Sequence, residues 1–126
     1  MKQGLLLFAH GARDPRWAQP FEAVAVGVRE RAPELEVVLS FLEFMTPGLA
    51  EAGAALARSG CVKVSVVPLF LGSGGHVRKD LPALLETLAA AHPQVSWSLR
   101  QTIGEVDSVI DAMADAALQS TRPVAP

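Results

Sequence analysis

The chain has 126 residues, half of them hydrophobic, and a formal net charge of -2; that is enough for one domain with a real core and too little for two. The charge balance, with no lysine-arginine run, excludes a strongly basic nucleic-acid binder and limits any anionic ligand to a small one held locally. The single cysteine, Cys61, permits no intramolecular disulfide and no CxxC site, no run reaches the roughly 18 apolar residues of a membrane span, and residues 1–9 lack a signal peptide's basic region and cleavage pattern. A soluble protein of the reducing cytoplasm is expected, with neither nucleic acid nor membrane as partner.

Leu5 to Ala9 is a continuous apolar run between Gly4 and Gly11, the pattern of a strand covered on both faces. It ends at His10, and Gly11 turns the chain into a polar loop carrying Arg13 and Asp14. Asp14 is placed to cap a helix with Pro15 in its first turn; Trp17, Phe21, Val24, Ala25 and Val28 then share one face, and Pro33 stops the helix. Glu36 to Phe44 reads as a second strand with Glu43 near its end. Thr46-Pro47 repeats the cap-plus-proline signal for a helix with Leu49, Ala52, Gly53 and Leu56 inside, stopped by Gly60. Val62 to Leu71 is a third strand, with Pro68 near its end. Gly72 to Gly75 forms a loop leading to His76, beyond which Leu81, Leu84, Leu85 and Leu88 make a helical stripe closed by His92-Pro93. Val95 to Leu99 reads as an edge strand. A last helix presents Val106, Val109, Ile110, Met113 and Ala117 on its inner face, residues 1–119 forming the domain and 120–126 a frayed tail.

The order β-α-β-α-β-α-β-α predicts an α/β fold: one domain with a doubly wound, parallel four-stranded sheet and helices on both faces. In such a sheet the loops after each strand gather at one edge, where ligands bind at the point of strand-order reversal. His10, Glu43 and His76 each fall at or just past the carboxyl end of a different strand. Two neutral imidazoles and a carboxylate make a partial, open shell for divalent cobalt, nickel, iron or zinc, and once unliganded the same histidines can accept protons. Each also has a plainer reading, as a loop-bonding histidine or a solvated strand-end carboxylate; shared placement at one edge favours the functional one. His92 reads as a helix-end residue and Cys61 as an inert buried thiol at the far end of the sheet. The glycines of GSGGH offer a weak phosphate-cradle signal, since no Lys-Ser/Thr follows; they equally let backbone approach a flat ligand.

Taken together, LLLFAHGARDP, FLEFMTPGL and VPLFLGSGGHVRKDLP resemble the small class II chelatases, the short cobaltochelatase/ferrochelatase proteins of the CbiX and SirB type that act on sirohydrochlorin. The likeness runs from residue 3 to about 115. It implies a chelatase-like, flavodoxin-like topology and insertion of cobalt, iron or nickel into a tetrapyrrole, on the route to cobalamin, sirohaem or a nickel tetrapyrrole. No organic cofactor is implied, the divalent metal being a substrate. His10 and His76 match the family's metal-binding and catalytic histidines, and Glu43 its acidic residue. Ala12 stands where family members usually carry a serine. Arg13, Arg16, Arg78 and Lys79, flanking the two histidine loops, and Gly74 and Gly75 are the expected substrate-binding residues. Larger chelatases of this type carry two such domains, so this chain resembles a half that pairs with itself as a homodimer, carboxyl edges facing across a cleft. The competing readings are a metal carrier or sensor built on the same histidines, and histidine-dependent phosphoryl transfer. The latter is disfavoured because Ala9 stands where a histidine phosphatase needs arginine.

Overall fold

The computed structural model describes residues 1–72 and 74–122, with only the backbone described at His76 and Val77. Four strands, β1 (Lys2–Ala9), β2 (Glu36–Phe41), β3 (Cys61–Pro68) and β4 (Ser96–Leu99), form one parallel sheet in the order β2-β1-β3-β4. Helices α1 (Gln19–Arg31), α2 (Leu49–Arg58), α3 (Gly75–Ala91) and α4 (Asp107–Gln119) alternate with them, and short 3-10 turns occupy Pro15–Ala18 and Ile103–Glu105. The chain runs from β1 to β2 on one side and returns to β3 on the other, so strand order reverses at the carboxyl ends of β1 and β3.

The apolar run of β1 is continuous because both its faces are covered. Leu6 and Phe8 pack with Leu56, Val64, Val66 and Leu81 under α2 and α3, while Leu7 packs with Ala25 and Val37 under α1. Leu6, Phe8, Leu56, Val64 and Val66 are fully buried, and each such side chain contributes about 1.5–3 kcal/mol. Gly53 lets α2 approach α3 closely, since a Cβ there would press on Leu88 and Trp97. Gly60, at φ 93, ends the α2 connection as expected, and Pro68 closes β3 opposite Phe8. Cys61 is buried at the start of β3, at the sheet edge away from His10.

Several expected boundaries shift. The second strand stops at Phe41 rather than Phe44, because Phe44 takes a positive φ of 66. Thr46 is not a helix cap: the Thr46-Pro47 bond is cis, Gly48 is the N-cap, and Glu51 reaches back to the Gly48 amide at 3.5 Å. Asp14 does cap, but what it caps is the 3-10 turn ahead of α1. Helix α3 begins at Gly75, so His76 lies in its first turn instead of in a preceding loop.

The largest departure concerns the α1 side of the sheet. No residue of α4 is buried, Ile110 and Met113 of its predicted inner face are exposed, and its principal neighbour is the 3-10 turn before it. Val24 of α1 is exposed as well. Between the two helices an apolar groove of about 660 Å³ opens, lined among others by Leu5, Leu7, Val24, Val67, Leu69 and Val109. The amphipathic stripe of α4 is present in the sequence, yet beyond its first turn the helix stands off the sheet. Residues 120–122 turn off its end, and positions 123–126 of the expected tail lie outside the described residues. Among the described residues no helix is long and apolar enough to cross a membrane.

Candidate metal-handling site at the carboxyl edge

Histidine 10 directly follows β1, the strand flanked by β2 and β3. Its imidazole stacks on the Phe70 ring, with centroids 4.1 Å apart and planes 27° from parallel. Phe70, two residues past β3, is itself only 3% exposed and packs against Phe8 at 5.9 Å. Its carbonyl accepts from the Gly104 amide at 2.9 Å. Gly104 has no Cβ to spare there, since one would run into the Leu71 carbonyl. The histidine plane is therefore set by a buried, doubly anchored aromatic ring. His10 itself is exposed, and among the described residues its imidazole makes no hydrogen bond, so its nitrogens remain available to a metal or a proton.

Glu43 is bound to that histidine through the backbone. The Leu42 amide donates to the Ala9 carbonyl at 2.9 Å and the Glu43 amide to the His10 carbonyl at 3.0 Å, extending the β1–β2 ladder two residues past β2. Gly11 makes this possible in two ways. Its φ of 90 is one that an L side chain rarely adopts, and a Cβ there would collide with the Glu43 carbonyl oxygen. Beyond Glu43 the chain reverses at once, the Met45 amide donating back to the Glu43 carbonyl at 2.8 Å with Phe44 at φ 66 between them. This is the rare, strained form of γ-turn, and a non-glycine residue at its centre costs on the order of 1 kcal/mol or more. Met45 tucks inward against Ala9, Ala18 and Phe41, while Phe44 remains 58% exposed.

The cations flanking the site differ in how they are engaged. Arg16 forms a forked pair with Asp14, with Nη2 to Oδ2 at 2.9 Å and Nε to Oδ1 at 3.2 Å. The Arg16 side chain first, and its backbone amide second, hold the Asp14 carboxyl below its ordinary range. Arg78, in the first turns of α3, pairs with Glu105 at 3.2 Å and so ties α3 to the 3-10 turn before α4. Arg13 lies over the Phe44 ring, its Cζ 5.1 Å from the centroid, and among the described residues it forms no ion pair. Lys79 is exposed. Gly74 is the N-cap of α3, and a Cβ at Gly74 or Gly75 would meet nothing within 4 Å. His76 is placed in the first turn of α3, after β3 and thus on the same sheet edge; its side chain lies outside the described residues. Among the described residues no three histidine, cysteine, aspartate or glutamate side chains converge.

His10 and Glu43, both expected at this edge, lie there as neighbours, and beside them stand Phe70 and Phe44, which no sequence signal marks. Phe70 reads as the tail of a strand. Nothing in Leu-Glu-Phe-Met signals a left-handed residue, because neither glycine nor asparagine marks it. His92 caps the C-terminal end of α3, its carbonyl accepting from Trp97 Nε1 at 3.2 Å, at the edge of the sheet remote from His10.

A flavodoxin-like, doubly wound sheet, with a histidine and a glutamate bonded through their backbones at its switch point, defines a small α/β protein with its candidate site at the carboxyl edge. By family it is more specific: the CbiX family model matches residues 4–120, and the chain belongs to that family. The sirohydrochlorin cobaltochelatase of Methanosarcina acetivorans is 34% identical over 84 residues, covering 67% of this chain and 65% of that protein. Among solved structures, the CbiX protein of Marinobacter aquaeolei VT8 superposes with a TM-score of 0.82 at 32% identity, covering 94% of this chain and 96% of that one. The sirohydrochlorin chelatase SirB of Bacillus subtilis subspecies spizizenii, solved with cobalt, gives a TM-score of 0.81 at 27% identity, covering 94% of this chain and 51% of SirB. The chain thus spans just under two thirds of the cobaltochelatase, about half of SirB, and nearly all of the Marinobacter protein.

Proposed function

We propose that this chain inserts a divalent metal, cobalt, iron or nickel, into a sirohydrochlorin-type tetrapyrrole. The observation that carries the reading is the backbone interlock of His10 and Glu43 at the switch point of a CbiX-family sheet: an exposed imidazole stacked on Phe70, and an exposed glutamate whose amide is bonded to the His10 carbonyl. The relatives named as sirohydrochlorin chelatases, and the cobalt-bound SirB, support this choice of substrate class and of a divalent metal.

In this reading His10 and His76 hold the incoming cation, with Glu43 compensating its charge. Insertion exchanges protein nitrogens for four ring nitrogens and releases two protons, one from each pyrrole N–H. In this reading the imidazoles freed from the metal, and the Glu43 carboxylate, accept them. Arg13 and Lys79, and Arg16 or Arg78 on leaving their carboxylate partners, bind the carboxylates at the rim of the substrate, and the bare backbone at Gly74 and Gly75 leaves room for the flat ring to pass close.

Protein, cobalt or ferrous iron and metal-free sirohydrochlorin are mixed anaerobically and followed by absorption. Insertion well above the spontaneous rate is expected, and the His10→Ala and His76→Ala variants should each lose at least about a hundredfold in kcat/KM with unchanged circular dichroism. Unchanged turnover in both variants overturns the assignment. Tight metal binding with no acceleration identifies a carrier instead.

The active unit is a homodimer. What supports this is the α1 side of the sheet, where the apolar face of α4 and the groove beside it are both uncovered on the same chain. Helix α4 starts at the carboxyl edge, the edge at which the paired clefts would meet, so reciprocal contact between two copies covers both surfaces.

A further inference from the structure

The exposed ring of Phe44 is the feature of the edge that neither packing nor metal handling uses. An aromatic side chain at the centre of a positive-φ turn is disfavoured, and the simplest escape would be glycine. The turn is nevertheless fixed on both sides: the Leu42 and Glu43 amides are bonded to β1, the Met45 amide bonds back to Glu43, and the Phe41 amide is bonded to the Pro47 carbonyl at 2.9 Å. Met45 fills the core position next to it. The outcome is a phenyl ring held out of the core, adjacent in sequence to the carboxylate of Glu43.

Its contact with Arg13 says what chemistry it is suited to. The Arg13 guanidinium lies against the ring at 5.1 Å, and the ring remains 58% exposed. A guanidinium that meets a ring through its face keeps its in-plane N–H donors free for a carboxylate. The pair therefore offers an exposed aromatic ring and, beside it, a guanidinium that among the described residues has no carboxylate partner. A ligand that satisfies both is flat and conjugated within and carboxylated at its rim.

We propose that Phe44 is a substrate-positioning residue, the platform on which the tetrapyrrole ring stacks while Arg13 takes a rim carboxylate. This rests on the chelatase reading above and adds to it a residue for the macrocycle itself, as distinct from its metal or its carboxylates. The turn orients Phe44 and Glu43 as one unit, so ring binding and the carboxylate that serves insertion are set by the same three residues.

The full-length protein with Phe44→Gly, Phe44→Leu and Phe44→Tyr tests this. Three quantities are measured for each: the thermal midpoint, the dissociation constant for metal-free sirohydrochlorin without metal, and kcat and KM for cobalt insertion. Phe44→Gly should raise both the dissociation constant and KM by about tenfold while leaving the thermal midpoint unchanged or higher, because glycine accepts the positive φ. Phe44→Tyr should restore binding to within about twofold of wild type and Phe44→Leu should fall between. Phe44→Gly binding that matches wild type, or a lower midpoint with unaltered KM, assigns the ring a structural role and overturns the proposal. If Phe44→Gly changes the elution volume in size-exclusion chromatography and a chemically crosslinked form binds normally, the ring serves subunit contact and the proposal fails. A wild-type protein that neither binds nor metallates the tetrapyrrole overturns the chelatase reading and this one with it, whereas a competent wild type with indifferent variants overturns this one alone.

Discussion

Gly11 is the residue on which the site's geometry turns. It sits at φ 90 with its α-carbon against the Glu43 carbonyl, so an added methyl group meets both a backbone penalty and a backbone collision. Gly11→Ala is expected to cost about 1–3 kcal/mol of stability, read from denaturant unfolding, and to lower kcat/KM by more than the loss of folded protein explains, since the Glu43 loop must move away from His10. Equal activity per folded molecule would show that the interlock is dispensable. The arginines separate in a similar way. Arg16 already pairs with Asp14 and would give up that partner on taking a substrate carboxylate, whereas among the described residues Arg13 has no ion-pair partner. Arg13→Ala should therefore raise KM several-fold and flatten its salt dependence, while Arg16→Ala does less. A larger effect at Arg16 in steady-state kinetics at two ionic strengths would reverse that ranking.

At the scale of elements, α3 behaves differently from the loop-borne arm suggested by the glycines. His76 occupies the first turn of a 17-residue helix, so its backbone is positioned by α3, and α3 is positioned through Leu81 and Leu88 in the core and through Arg78 to Glu105. Gly75 is the first residue of that helix, with open space at its α-carbon. Gly75→Ala should thus leave the thermal midpoint unchanged or slightly raised, by less than the roughly 0.5–1 kcal/mol of a helix-interior glycine, while raising KM if the macrocycle passes over this turn. A KM identical to wild type would remove Gly75 from the substrate surface. The strands were readable in advance because two-sided burial leaves a continuous apolar run, as in Leu5 to Ala9, and Gly60 and Pro68 punctuate where their backbone chemistry requires. What escaped was the left-handed Phe44, the Gly48 start of α2 and the stacking of His10 on Phe70. Each depends on a partner brought in by tertiary structure: β1 for the turn at Phe44, the bridge to Phe41 for the Gly48 start, and the β3 terminus for the imidazole.

For the molecule as a whole, the two sides of the sheet are unequally finished. Helices α2 and α3 close one side over a continuous core, whereas on the other α1 covers β1 and β2 and the remainder is open beside α4. The periodicity of Val109, Ile110 and Met113 shows that one face of α4 is built for burial, but periodicity does not say against which chain. If two copies cover these surfaces for each other, a charge on that face should separate them. Met113→Asp is expected to shift the mass measured by light scattering from dimer to monomer and to lower insertion activity in a manner restored by raising protein concentration. A wild-type protein that is monomeric and fully active at micromolar concentration would refute pairing.

Strand β1 is hydrogen-bonded on both sides, to β2 and β3, and is apolar on both faces. The amides of Leu6, Leu7 and Phe8 should therefore be the slowest in the chain to exchange with deuterated solvent, doing so only when the whole domain opens. The His10 carbonyl is the next rung of that same ladder. The bond between the His10 carbonyl and the Glu43 amide thus continues directly from the most protected strand of the chain, so the Glu43 amide should exchange more slowly than the exposed turn residues that follow it.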